Sequence, residues 1–153
     1  MIIPAAIEEF LLTSLGMAKD AMGKATLERA LAQAMRREGV TDPGIYEKLF
    51  KTSGEARQRL IDVVVVGETW FFRDRGPFAY LARQAPKMLQ AAAGGVLNIL
   101  SAPCSTGEEP YSIAMTLLAA GLPPASFRIE GVDISSAALE AARRAVYTNG
   151  SFR

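Results

Sequence analysis

In the second half of this 153-residue chain, a short apolar run from Val96 to Leu100 ends in Ser101 and gives way to Ala102-Pro103-Cys104-Ser105-Thr106-Gly107. A helix-like stretch follows, and Asp133 closes the next apolar run, 26 residues after Gly107. Open α/β sheets bind ligands at the carboxyl ends of their strands, where small residues let the backbone approach and an acid can take ribose hydroxyls. The order fits an adenosyl-bearing ligand, and an ordinary tight turn between strand and helix accounts for the same letters. The loop has neither the full dinucleotide glycine fingerprint nor the lysine of a P-loop, which disfavours phosphate cradling and ranks a nicotinamide-dependent oxidoreductase last.

Glu108 and Glu109 open the helix after that loop. One of them could accept hydrogen bonds from a ligand amino group or hydroxyls; both would also be favoured there by the helix dipole alone. A second cluster, Glu68-Thr69-Trp70-Phe71-Phe72-Arg73-Asp74, follows four consecutive valines. Adjacent aromatics usually mean packing. The planar guanidinium of Arg73 suits a bidentate grip on a carboxylate, and a salt bridge to Glu68 or Asp74 would read the same in the sequence.

Composition limits the remaining chemistry. The chain has no histidine and one cysteine, Cys104, which removes His-based triads, His- or Cys-rich metal sites and disulfide frameworks. Net charge is +1, with −1 up to Asp74 and +2 from Arg75 onward, so neither half is a basic nucleic-acid module. No apolar run approaches the ~20 residues of a spanning helix, and no signal-peptide pattern opens the chain, so a cytoplasmic protein with no membrane insertion is expected.

The elements that must position these residues change character midway. Before Asp74 the pattern is helical. Pro4 suits a first turn ahead of Ile7, Phe10, Leu11 and Leu15, with Gly16 as a stop. Thr26 can cap a stripe of Leu27, Ala30, Leu31, Ala34 and Met35 that ends at Gly39. A third helix follows the Thr41-Asp42-Pro43-Gly44 turn and breaks near Ser53 and Gly54, and a fourth runs from Glu55 to about Val64. From Pro77 to Ala92 the chain is helical again. Then come a strand at Val96–Leu100, a helix continuing through Ser112–Ala120 with Pro110 in its first turn, a strand at Phe127–Val132, and a helix capped by Ser135 or Ser136 that runs through Ala145. The two strands are most simply parallel, with a right-handed crossover. Two parallel strands have open edges and too few neighbours. The chain therefore reads as the front portion of a larger enzyme, or as a piece that completes its sheet with another chain.

The segments GETWFFRD, LNILSAPCSTGEEPYSIAMTLL and IEGVDISSAALEAARRAVY together resemble the chemotaxis receptor methyltransferase family, CheR. The likeness is close from about residue 60 to residue 147, and the valine run with Glu-Thr-Trp is similar to a WspC-like, biofilm-signalling branch. It implies an α/β protein: an N-terminal all-helical domain and junction (1–75), then the first βαβα part of a Rossmann-like class I methyltransferase domain (76–153), cut short. It also implies S-adenosylmethionine as cofactor, S-adenosylhomocysteine as product, and glutamate side chains on the cytoplasmic helices of methyl-accepting chemoreceptors as substrate.

Carried over position by position, the resemblance makes Thr69 and Arg73 the catalytic pair, with Phe71 and Phe72 packing the junction. Ala102, Pro103, Cys104, Glu109 and Asp133 become cofactor-binding, with Asp133 on the ribose hydroxyls and no nucleophilic role for Cys104. No metal is implied. Three departures stand out. Gly67 replaces a usual Asn; Gln33 and Ala34 stand where the second helix of relatives carries charge; and the chain ends before the later strands, the receptor-binding subdomain and a catalytic tyrosine. The alternative is a non-catalytic receptor-docking or cofactor-binding fragment. Its sheet faces around Ile99 and Ile129 would be exposed, favouring a domain-swapped or edge-paired homodimer.

Overall fold

The computed structural model describes residues 2–17, 23–65 and 67–153. It divides into two compact units, Met1–Val66 and Gly67–Arg153.

The first unit is four helices: α1 (Ala5–Thr13), α2 (Lys24–Arg37), α3 (Pro43–Thr52) and α4 (Gly54–Val64). Apolar residues at helical spacing converge on a core that includes Ile7, Leu11, Leu31, Tyr46, Phe50 and Leu60, and Phe10 meets Phe50 edge to face at 5.2 Å. Asp42 caps α3 by accepting from the Ile45 amide at 2.8 Å, with Pro43 in the first turn where its missing N–H costs nothing. Ser53 both ends α3 and caps α4, accepting from the Ala56 amide at 3.2 Å. Arg59 of α4 grips both carboxylate oxygens of Glu38 at the end of α2.

Two expectations change here. Helix α2 begins at Lys24 behind Gly23, so Thr26 is inside its first turn and donates its amide to the Gly23 carbonyl at 2.8 Å. Ala34 is fully buried and could not present a charge, whereas Gln33 is exposed.

Tyr46 has no solvent exposure, and its hydroxyl donates to the Ala56 carbonyl at 3.3 Å. Burial, and secondarily the Glu38 charge, push that hydroxyl up to about 12. The fold therefore favours the protonated phenol. The associated stability is fully present below the unfolded value near 10 and is lost as pH rises through about 12. Urea midpoints should fall across that window in the native protein and fall less steeply in Tyr46→Phe; parallel declines would contradict this.

The second unit holds α5 (Arg75–Ala91), β1 (Leu97–Ser101), α6 (Glu108–Ala119), β2 (Phe127–Gly131) and α7 (Ser136–Arg144). The strands are parallel and in register from Leu97 opposite Phe127 to Ser101 opposite Gly131. Alternation sends Leu97, Ile99, Phe127 and Ile129 to one face, where they pack on Ala85 of α5 and on Ile113 and Leu117 of α6. This corrects the expected exposure of Ile99 and Ile129. The open face carries Asn98, Leu100, Arg128 and Glu130, with Leu100 64% exposed. Helix α6 starts at Glu108, with Pro110 in its first turn as expected, whereas α5 starts at Arg75, two residues before the expected Pro77. Among the described residues no helix is long and apolar enough to cross a membrane.

Candidate functional site

The ladder between the strands runs on past their ends and shapes the loop that follows β1. The Val132 amide donates to the Ser101 carbonyl at 2.9 Å, and the Cys104 amide to the Val132 carbonyl at 2.8 Å. The next amide, that of Ser105, donates to Asp133 Oδ2 at 2.8 Å, and the Ser135 amide donates to Asp133 Oδ1 at 2.9 Å. Asp133 thus clamps the β1–α6 loop to the start of α7, and each of its oxygens keeps a lone pair for a further donor. Gly107 ends the loop in left-handed backbone (φ +97°), and a Cβ there would stand 2.7 Å from the Tyr147 hydroxyl and 2.8 Å from Ala142 Cβ.

Glu109 is exposed on the first turn of α6, and its Oε1 accepts from the buried Ser101 hydroxyl at 2.6 Å. A cavity of about 500 Å³ brings it together with Arg73 and Pro103, walled by Pro77, Phe78 and Ile113. The Arg73 guanidinium donates to the Glu68 carbonyl oxygen at 2.5 Å and lies 4.7 Å from the centre of the Trp70 ring. Its contact with Glu68 is thus to the backbone, and the Glu68 carboxylate pairs with Arg153 at 3.2 Å instead. Most of the Arg73 donor fork remains for a ligand. Phe72 and Asp74, on either side of Arg73, both hold left-handed backbone (φ +55° and +54°). Such conformations cost on the order of 1–3 kcal/mol each and persist only where surrounding contacts impose them. One such contact is the Phe72 amide donating to the Ser112 hydroxyl at 2.9 Å.

Of the residues singled out in the sequence, Arg73, Pro103 and Glu109 line that cavity; Thr69, Ala102, Cys104 and Asp133 do not. Cys104 lines a separate pocket of about 360 Å³ with Pro110, Tyr111 and Gly131. Phe71 is buried against Tyr147 and Phe152, and Phe72 meets Phe78, all within the second unit. Gly67 is a close approach: a Cβ there would lie within van der Waals overlap of the Ser105 hydroxyl, which is buried and, among the described residues, without a partner. A second, larger cavity of about 1030 Å³ is lined by Phe71, Phe78, Arg83, Met115 and Ala119 among others, and reaches neither Glu109 nor Asp133.

The donor set fits an adenosyl sulfonium. Asp133 follows the end of β2, and Glu109, on the first turn of α6, is held by Ser101 at the end of β1. Glu109 lines the cavity together with apolar Pro77, Phe78 and Ile113, and the loop carries no side chain large enough to block it. Asp133 would hold hydroxyls and Glu109 a cationic or hydroxyl-bearing part.

Cys104 is only 2% exposed, and burial, followed by the Asp133 and Glu109 charges, pushes its thiol up. Iodoacetamide at mildly alkaline pH should leave it intact in the folded protein and label it on unfolding. Fast labelling of the folded state would refute this placement.

Sequence reasoning missed Ser101, Thr106, Ser112, Tyr147 and Ser151 as the polar frame of the site. The available signal was Ser101 itself, a serine ending an otherwise apolar buried strand, which needs a partner.

The family model described as CheR methyltransferase, SAM binding domain, matches residues 67–153. The chain is 43% identical over 145 residues to "Probable biofilm formation methyltransferase WspC" of Pseudomonas putida, covering 94% of this chain and 34% of that protein. It is 44% identical over 147 residues to the protein of the same name from Pseudomonas aeruginosa, covering 95% and 35%. With "Chemotaxis protein methyltransferase" of Escherichia coli the identity is 38% over 121 residues, covering 76% and 40%. The chain spans about a third of the length of the first of these curated relatives. The matched region is the unit that carries the clamp at Asp133 and the cavity between Arg73 and Glu109, and its family's cofactor is S-adenosylmethionine: the chain belongs to the CheR methyltransferase family.

Proposed function

We propose that the complete protein methyl-esterifies glutamate side chains on the cytoplasmic signalling helices of chemoreceptor-type proteins, in a biofilm-signalling setting like that named for its WspC relatives. The single observation that carries this reading is the shared cavity of Arg73 and Glu109 at the carboxyl end of β1. S-Adenosylmethionine supplies an electrophilic methyl group: the glutamate oxygen forms the new O–C bond as the C–S bond breaks, and its electron pair stays on sulfur.

Asp133 and Glu109 hold the ligand against the loop at Ala102, Pro103 and Cys104. Arg73 orients the incoming carboxylate, with Thr69 four residues before it on the same segment. A glutamate with an ordinary pKa of about 4.3 is already ionised near neutrality, so no general base is needed, in keeping with the absence of histidine. Rate enhancement then rests on alignment and partial water exclusion, for which in-line positioning is worth roughly 7–11 kcal/mol in favourable cases. The exposed Arg29, Arg36 and Arg37 of α2 offer the acidic receptor helices a cationic face.

The test is transfer of labelled methyl from S-adenosylmethionine to a receptor cytoplasmic fragment. The reading predicts base-labile methyl ester that disappears when the acceptor glutamates are changed to glutamine. Label that is base-stable, or that is retained on glutamine acceptors, would refute it.

The open sheet face at Leu100 supports a second reading for residues 1–153 taken alone: a cofactor-binding and docking piece that pairs through its sheet. Sedimentation decides this, since a concentration-independent monomer would exclude sheet pairing.

A further inference from the structure

The geometry points to Glu108 as the positioning residue that sets Arg73 against the cofactor loop, an assignment that rests on reading the cavity at Glu109 as the methyl-transfer site. Glu108 is only 3% exposed, and among the described residues no lysine or arginine pairs with it. It opens α6, and the partners of its carboxylate are hydroxyls and not helix amides. Its oxygens take side-chain hydroxyls instead: Oε2 accepts from Thr106 at 2.6 Å and Oε1 from Ser151 at 2.8 Å. A residue selected only to complement the helix dipole would gain as much while exposed. A buried carboxylate instead requires its partners, since one left unsatisfied is costly.

Those partners lead to Arg73. The Ser151 carbonyl accepts from the Phe71 amide at 2.8 Å. The Glu108 carbonyl accepts from the Ser112 hydroxyl at 2.6 Å, and that hydroxyl oxygen accepts from the Phe72 amide at 2.9 Å. The two amides immediately before Arg73 therefore both lead to Glu108. That of Phe71 does so through Ser151 to its carboxylate and that of Phe72 through Ser112 to its backbone carbonyl, so a side-chain substitution cuts the first arm and spares the second. The other arm reaches the loop, where Thr106 also offers its carbonyl to the Tyr147 hydroxyl at 2.9 Å. One buried residue ties the left-handed turn that presents Arg73 to the loop and to neighbouring Glu109, so both reactant-facing groups share a single frame.

Trp70 is the only tryptophan, and the guanidinium groups of Arg73 and Arg153 both lie over its ring, at 4.7 and 5.2 Å, so in an Arg153→Ala background its emission reports the placement of Arg73 without any catalysis. The experiment compares the native residues with Glu108→Ala, Arg73→Ala and the double variant, by Trp70 emission in the Arg153→Ala background and by methyl transfer in the otherwise native protein. Glu108→Ala should move the emission toward the Arg73→Ala value, the double variant should match Arg73→Ala alone, and Glu108→Gln, which retains an acceptor oxygen, should restore the spectrum seen with Glu108. Turnover should fall about a hundredfold, the usual scale for misplacing a reactant-orienting group. The cofactor KM should stay within about threefold, and the two losses should not add.

Native emission in Glu108→Ala, or additive losses in the double variant, would overturn the assignment. If Glu108→Ala does not fold, Ser151→Ala cuts the same arm at its far end and is read identically. Absence of methyl transfer in the native protein would refute the functional reading, while the emission series would still decide the role of Glu108.

Discussion

Arg73→Ala in the complete protein lowers turnover by about a hundredfold to a thousandfold, the usual result of deleting one preorganised donor at a reacting centre. Affinity for S-adenosylhomocysteine shifts less than about threefold, as expected of a group proposed to act on the incoming carboxylate. The asymmetry follows from the structure. Arg73 spends one donor on the Glu68 carbonyl and lies over the Trp70 ring, which restrains the guanidinium, and the residue lines the cavity with donors to spare. Arg73→Lys keeps the charge and loses the planar fork, so it should recover little of the rate. Initial rates at saturating cofactor, paired with calorimetric titration, check both halves. Equal losses of rate and affinity would refute the assigned role.

Asp133→Ala has the second-largest effect, on affinity and stability together. A hydrogen bond to a charged group is worth about 1.5–3 kcal/mol, so losing the carboxylate under ligand hydroxyls should weaken S-adenosylhomocysteine binding by about ten- to a hundredfold. The same change leaves the Ser105 and Ser135 amides without their shared acceptor, and the unfolding midpoint should fall with it. Glu109→Ala is the contrasting control. Its carboxylate is exposed and holds only the Ser101 hydroxyl, so affinity should drop with a smaller loss of stability. Equal melting losses in the two variants would contradict the clamp.

The helices of the first unit were legible because their punctuation is local: Asp42, Pro43, Ser53 and Gly39 act within a few residues of themselves. Errors arose where a longer-range effect decided. Thr26 has the chemistry of a cap, but α2 starts earlier, at Lys24. A two-strand sheet in a short chain implies open faces at Ile99 and Ile129, but sequence does not show which side the helices cover: α5 and α6 cover theirs and leave Leu100 outside. At the site, the loop and its acids could be read from the order strand, small residues, helix, strand, acid. The frame that holds Arg73 could not, because it joins Phe72 to Ser112 and Glu108 to Ser151, pairs 40 and 43 residues apart that no periodicity links.

The cofactor is expected to bind at the loop after β1, facing Arg73, and a crystal structure of the complete protein with S-adenosylhomocysteine tests this most directly. Ligand density should lie in the cavity lined by Arg73, Pro103 and Glu109, with its ribose hydroxyls toward Asp133. Ligand seated instead in the larger cavity between Phe71, Phe78 and Met115, out of reach of both carboxylates, would contradict the account.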